Sequence, residues 1–385
     1  MSDHLTEDTG EKLRVLIVGG GVAALEAILA LKELAGDRVG MTVLAPNEEF
    51  VYRPLAVREP FSYGTAKFLP LAPIVSDAGA ELRPGELARV DRAAQTIHTA
   101  DGAALEYDAL LLALGARVTT RYKHAVTVDD RRMDEALRGL IQDVEDGYLN
   151  RIAFVSPERM AWPLPLYELA LMSAARAFDA GVGLSVTLAT PEERPLAVFG
   201  GEVSVAVREL LAEAGVEFVP SAHAEVPASG EVVIHPGGRR MHVDRVVALP
   251  ELYGPYVRGI ALGEHGFLPT DPFLRVPDAG PVFAAGDATQ FPIKHGGLGA
   301  QQADVAAESI AALAGAPIEP KRFHPTIEGM LLTGGKPLHI TAHITGGDGS
   351  SAQAKVAEAG EHPKISARYL TPALEARDGQ LTRAG

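Results

Sequence analysis

The 385-residue chain has no cysteine. That absence excludes a structural disulfide, a thiolate nucleophile, a redox-active cysteine pair and any thiolate-held zinc or iron–sulfur site, so electron transfer here requires a cofactor. Long apolar runs are also missing: nothing approaches the roughly 18 unbroken apolar residues of a membrane span. Basic residues are in deficit, with 35 Lys and Arg against 50 Asp and Glu and a net charge of −15, and no long basic run offsets them. Such a field repels nucleic acid and anionic lipid. The opening "MSDHLTEDTGEK" is acidic and lacks an apolar core, so no secretory signal is expected and a cytoplasmic location is. What remains, 47% hydrophobic with 40 Gly and 27 Pro, describes a turn-rich α/β protein whose length suggests two or three domains.

Residues 13–21, "LRVLIVGGG", form an apolar β-rich run ending in three glycines. "VAALEAILALKELAG" then takes up helical periodicity, its apolar face reading as core packing and Gly36 as its stop. "MTVLAP" is the next strand, and "TIHTADGAALEYDALLLALGA" a hairpin about Asp101-Gly102 followed by an apolar strand running to Gly115. The same order recurs after residue 150. "RVLIVGGG" answers to "RIAFVSPE", "MTVLAP" to "SVTLATP", "GAELRPGELARVD" to "GVEFVPSAHAEVP", and the hairpin and strand to "VVIHPGGRRMHVDRVVALPEL". Two related nucleotide-fold units explain four segments kept in register. A later block holds another buried strand at Val282 to Ala285, then Gly286-Asp287, a loop and an alanine-rich helix. Beyond 320 the chain is polar, and "TGGDGSSAQAKVAEAGEH" reads as a loop.

"VLIVGGGVAA" gives Gly19-x-Gly21-x-x-Ala24, the alanine-ended dinucleotide fingerprint, between a strand and a helix. Gly19 makes the tight turn, Gly21 admits a pyrophosphate to the backbone, and the helix N-terminus supplies N–H groups and a positive dipole. The acid expected about 20 residues on, for the ribose, is not at its usual place. Those positions read Ala45, Pro46, Asn47 and Glu48, so either Asn47 or Glu48 reaches the ribose from the loop or that bond is missing. The second unit has no glycine in its corresponding turn: "VSPERMAWPLPLYELAL" puts Pro157, Arg159, Trp162, Pro163 and Pro165 there.

Together, the first unit, "EYDALLLALGA" and "VFAAGDATQ" resemble the FAD-dependent pyridine nucleotide-disulfide oxidoreductase superfamily, in the branch of type II NADH:quinone oxidoreductases, sulfide:quinone oxidoreductases and flavocytochrome c sulfide dehydrogenases. The resemblance implies two Rossmann-like three-layer domains: an FAD domain of residues 13–120 and 255–318, an NAD-type domain of 121–254, and a small C-terminal domain of 319–385. It implies that Gly19, Gly21, Val22 and Ala23 meet the FAD pyrophosphate, Arg53 approaches the adenosine side, and Leu87-Ala88 touch the adenine. Leu114 and Gly115 would line the cofactor, and Asp287 beside Gly286 would bind a ribityl hydroxyl, the competing role for Asp287 being a turn cap. In "PIKHGGLGAQQAD" the glycines, with Leu298 and Gly299 in the helix start, would bring backbone and a helix N-terminus to the flavin, where Lys294 adds positive charge.

The cofactor expected is FAD and no metal. His339 and His343 share one strand face in "HITAHI" but have no third ligand nearby. The filled second turn compromises the usual nicotinamide site, and the missing cysteines exclude sulfide oxidation through a persulfide. Trp162 and Tyr167 wall off the flavin, form an aromatic lid for a flat substrate, or fill the inter-domain core. The leading reading is an FAD-dependent oxidoreductase whose small-molecule donor or acceptor, a quinone among the candidates, binds on the flavin face near Trp162, Lys294 and the C-terminal tail. The alternatives are an NAD(P)H oxidoreductase with Glu192 or Glu193 at the ribose, and a non-catalytic FAD-binding redox sensor. Expected partners are a small redox substrate, with a homodimer left open, and neither nucleic acid nor a stable membrane anchor.

Overall fold

Val15 to Val18 are each 2% exposed or less, and burial on both faces makes the run Leu13–Val18 a central strand. The computed structural model describes residues 11–52, 56–62, 67–129, 132–159, 162–343, 353–358 and 366–384. The first sheet has five parallel strands in the order Val282–Ala284, Ala109–Leu112, Leu13–Val18, Val39–Ala45, Ala80–Pro84. The chain winds outward from Leu13–Val18 to one edge and then crosses to Ala109–Leu112 on the other side. That reversal is the switch point at which open α/β sheets bind ligands.

The faces of this sheet have different covers. Val15 and Ile17 face the helices Val22–Ala35 and Gly296–Leu313, whose alanines at 24, 27, 30, 303, 306 and 307 let the two lie close. Leu16 and Val18 face a three-stranded antiparallel sheet of Leu87–Asp91, Thr96–Thr99 and Ala104–Glu106. The helix that follows the glycines ends where the sequence places its stop, at Gly36 with φ of 54°.

The second sheet repeats the plan of four of these strands, but its fifth, Val126–Thr127, comes first in the chain where Val282–Ala284 comes last. Its order is Val126–Thr127, Arg245–Ala248, Arg151–Val155, Ser185–Ala189, Val216–Val219, again all parallel. Ile152 and Phe154 face helices while Ala153 and Val155 face antiparallel strands carrying Val226, Val232 and Ile234. The sequence repeat is therefore a structural one. An antiparallel pair, Arg117–Thr119 with Glu251–Tyr253, joins the two units where the chain crosses between them.

The C-terminal segment buries itself against both units. Strands Thr326–Leu331, Leu338–His343 and Gln353–Glu358 form an antiparallel sheet, so the stretch read as a loop contains a strand, at the edge of this sheet among the described residues. Ile327, Leu331, Ile340 and Ala342 share one core with Leu164, Tyr167 and Phe199. The wholly buried Glu168 accepts the Leu332 N–H at 3.1 Å. Leu370 and Leu374 of the last helix, Leu370–Ala384, join the core of the first unit instead. Among the described residues no helix is long and apolar enough to cross a membrane.

Phe199 is 0% exposed and lies where the second unit meets the C-terminal sheet. Phe199→Ala is expected to lower stability by about 3–5 kcal/mol. Urea unfolding followed by circular dichroism measures it, and a loss under about 1 kcal/mol contradicts this packing.

Candidate functional site

Parallel strands bring their exits to one edge, and here the register aligns them closely. Val18 pairs with Leu44 and Leu112, and Leu112 with Ala284, so Gly19, Ala113 and Ala285 leave the sheet side by side. Gly19 donates its N–H to the Leu44 carbonyl at 2.9 Å, and its φ is 132°. A Cβ there would stand 2.1 Å from the Ala113 carbonyl oxygen, so the turn passes its neighbour only as glycine. Gly21 begins the helix with no side-chain cap, and its first turn holds no acid. Nothing lies within 4 Å of where a Gly21 Cβ would be, nor of the same point on Gly115. The edge thus offers bare backbone and uncapped N–H groups to open space.

Across the switch point the two helices close up. A Cβ on Gly286 (φ 74°) would stand 3.1 Å from the Ala23 methyl, and one on Gly299 would stand 3.2 Å from the Gly286 Cα. Buried Gln302 accepts the Gly286 N–H at 2.7 Å and the Thr289 hydroxyl at 3.3 Å, fixing the turn that carries Asp287. Val22 and Asp287 are half-buried beside it. Helix Gly296–Leu313 also starts without a side-chain cap or a first-turn acid. Leu298, by contrast, turns its side chain into the core shared with the second unit, leaving only its backbone for the edge.

The remaining expected residues divide by position. Asn47 and Glu48 are exposed at the exit of Val39–Ala45, where the Glu48 carbonyl accepts from Leu71 N–H at 2.8 Å. Gly85 donates to the Ala45 carbonyl at 3.0 Å and carries the chain on to half-buried Leu87 and to Ala88, which sits in an irregularity of the ladder. These lie along the same edge, beyond the glycines. Arg53 lies outside the described residues. His343 meets Thr326 Oγ1 through its Nδ1 at 3.0 Å, and the described residues hold no group of three metal-ligating side chains.

Lys294 and Trp162 come to one place although they belong to different units. Lys294 is 7% exposed, with its Nζ bonded to the Thr289 carbonyl and 4.0 Å from the centre of the Phe267 ring. Burial pushes its ammonium down to about 8, against the opposing pull of Asp287. The next residue, His295, immediately precedes the helix and lies 4.6 Å from Trp162, ring centre to ring centre. Trp162 in turn meets Phe199 edge-on at 5.6 Å. Half-buried Trp162 therefore bridges the second unit and the helix N-terminus of the first.

The second sheet's carboxyl edge is built differently. Its strand ends at Val155 and its helix begins only at Leu164, with Pro165 in the first turn, against Val18 and Val22 in the first unit. Arg159 leaves this turn to bond Glu251 Oε2 at 3.2 Å and the Tyr253 hydroxyl at 2.6 Å, and touches the His265 ring nitrogens at 2.7 and 2.8 Å. Glu192, where a ribose acid would stand, accepts the Tyr167 hydroxyl at 2.6 Å and the Ala197 N–H at 3.1 Å. Burial pushes that carboxyl up to about 7. Tyr167, wholly buried, fills core and is no lid.

Buried Gln302 and Glu26 and half-buried Asp304 are not singled out by the sequence. Glu26 was visible there as a lone acid inside "VAALEAILAL". Lys294 gives the site a titration to measure: with its folded value below the ordinary lysine range, stability rises with pH from about 8 up into that range. A lysine-labelled sample should show one Cε resonance titrating near 8 that vanishes in Lys294→Met. A lowest lysine midpoint above about 10 contradicts the burial.

A sequence profile of the pyridine nucleotide-disulphide oxidoreductase family matches residues 13–138 and 169–309. The match breaks across 139–168, the stretch that holds the glycine-free turn. The fold is similar to that of the sulfide:quinone oxidoreductase from the hyperthermophilic bacterium Aquifex aeolicus, at 18% identity and a TM-score of 0.78, covering 90% of this chain and 87% of that one. It is also similar to the ferredoxin reductase of the CYP199A2 system from Rhodopseudomonas palustris, at 20% identity, a TM-score of 0.67 and coverage of 90% and 89%. A third likeness is to the reductase in the covalent putidaredoxin reductase–putidaredoxin complex, at 20% identity, a TM-score of 0.63 and coverage of 88% and 83%. The chain belongs to the pyridine nucleotide-disulphide oxidoreductase family and is an oxidoreductase of this flavin-dependent superfamily.

Proposed function

We propose that this protein holds FAD along the carboxyl edge of the first sheet and passes electrons from a small-molecule donor to a flat acceptor of the quinone class, without binding a nicotinamide dinucleotide at the second sheet. The FAD unit in this reading is residues 13–120 and 255–318, the altered nucleotide unit 121–254, and the C-terminal piece 319–385. The observation that carries it is the contrast between the two edges. One is bare backbone at Gly21 and Gly115 under uncapped helix starts; the other is a turn filled by Pro157, Trp162 and Pro163.

Each residue's part follows from its chemistry. Gly19 and Gly21, with Val22 and Ala23, turn N–H groups toward a pyrophosphate, whose charge suits the helix dipole. Asp287 is a carboxylate that accepts from a ribityl hydroxyl, and Gln302 holds its turn in place. Lys294, anchored on the Thr289 carbonyl, keeps a positive charge beside the start of helix Gly296–Leu313. FAD bound here supplies the redox chemistry that a chain without cysteine lacks. Donors that react through a protein thiol are excluded. Trp162, stacked on His295 between the units, offers an aromatic face to a planar acceptor. The enzyme assignment sets aside the non-catalytic sensor, and the engaged Glu192 and Arg159 speak against a nicotinamide at the second edge.

The test loads the protein with FAD, photoreduces it and mixes it anaerobically with a short-chain benzoquinone. Rapid reoxidation is expected, and Trp162→Ala should slow it about tenfold, near 1.4 kcal/mol, while FAD stays bound. Failure to bind FAD overturns the reading, and reoxidation of Trp162→Ala at the wild-type rate removes the acceptor from this face.

A further inference from the structure

Two acids lie between the helices of the first unit, and the chemistry above uses neither. Glu26, one turn into Val22–Ala35, is 0% exposed. Its Oε1 accepts the Tyr369 N–H at 2.9 Å and its Oε2 the Leu370 N–H at 2.6 Å, at the start of the last helix. Asp304, on the facing helix Gly296–Leu313, is hydrogen-bonded to Glu26, and its Oδ1 is buried without a hydrogen-bond partner among the described residues.

Two carboxyl groups in contact among alanines cannot both ionise. Glu26, with two N–H groups donating to it, is the better placed to carry the charge. Asp304 is then the acid that donates, and an unpartnered buried oxygen costs less on a neutral carboxyl than on a carboxylate. The charged and titratable groups facing the pair are Arg368 and Tyr369 from the C-terminal segment and Glu308 one turn along from Asp304, with Glu33 on the Glu26 helix acting on Tyr369. The same segment touches the edge itself: the Ser366 carbonyl oxygen is 3.5 Å from where a Gly297 Cβ would stand. Further on, Arg377 bonds the Pro73 carbonyl at 2.8 Å and the carboxylate of Asp77. Residues 366–377 thus form a strap from the helix start at Gly297, past Glu26, to the far side of the first helix.

We propose that Glu26 and Asp304 are positioning residues that share one proton, which sets the spacing of the two helices whose starts cradle FAD and fastens the C-terminal strap to them. Loss of that proton drives the helices apart and frees the strap, so FAD retention and strap docking weaken together as pH rises. Burial, with the Glu26 charge beside it, pushes the Asp304 carboxyl up to about 8. A carboxyl raised in the folded state stabilises fully below its ordinary range, and the contribution fades as pH climbs and is gone above about 8. The cofactor half of this proposal rests on the flavin reading, and the docking half does not.

Wild type and Asp304→Asn are compared at pH 6 and pH 9, by FAD binding from quenching of its fluorescence and by amide protection at Tyr369 and Leu370, corrected for intrinsic exchange. In wild type the Kd for FAD is expected to rise, and the protection to fall, by about tenfold. Asp304→Asn, whose amide still donates to Glu26, should show neither change. Protection that is flat with pH in wild type overturns the proposal even where the variant does not fold, as does a variant that follows wild type. Flat FAD affinity with changing protection overturns the link to the cradle. Changing protection in a protein that binds FAD at no pH overturns the flavin reading and leaves the shared proton standing.

Discussion

The close approach of backbones at the carboxyl edge of the first sheet governs the rest of this molecule. Gly19 passes the Ala113 carbonyl where no Cβ fits, and Ala23, Gly286 and Gly299 meet at a distance that only hydrogen and methyl groups allow. Those contacts bring two helix starts to one line of open backbone. They also explain the alanines at 24, 27, 30, 303, 306 and 307, since helices held together at their starts can stay close along their length only with small side chains between them. The Glu26 and Asp304 pair follows from the same closeness: a polar contact in so narrow a seam must be hydrogen-bonded, and a charge there needs a partner.

The second sheet separates what this fold needs from what its ligand needs. Ile152 and Phe154 still face helices, and Ala153 and Val155 still face an antiparallel sheet, because burial requires them wherever the strand lies. The turn after that strand is under no such demand. Its residues have taken structural work: Arg159 ties the second unit to the crossing strands and His265, and Trp162 stacks on His295; beyond the next strand, Glu192 is held by Tyr167. The two edges share a frame and differ in everything a dinucleotide would touch.

Legibility in the sequence followed the range of the interactions. The glycine turn, the stop at Gly36 and the internal repeat are local or periodic, and each was readable because sterics allows few residues to do the same job. Tyr167 stood between lid and core until the structure brought Glu192 to it, 25 positions away in the chain. Glu26 broke an otherwise apolar face, but its partners are at 304, 369 and 370, and no periodicity links them. The strand Gln353–Glu358 was read as loop because its flanks are rich in glycine and serine and its pairing partner, Leu338–His343, sits beyond that stretch. For the site, the residues around the glycines were legible. The meeting of Trp162 with Lys294 and His295 depends on how two units pack, which sequence pattern does not encode.

In the proposed function one carboxyl edge receives a flavin and the other receives no nicotinamide. Anaerobic stopped-flow mixing of the FAD-loaded protein with NADH or NADPH, watched at the oxidised-flavin band near about 450 nm, tests it most directly. The expected result is a band that persists with either nucleotide and bleaches with dithionite. Rapid bleaching by NADH or NADPH would contradict it, since electrons would then be entering across the turn that Pro157, Arg159, Trp162 and Pro163 occupy.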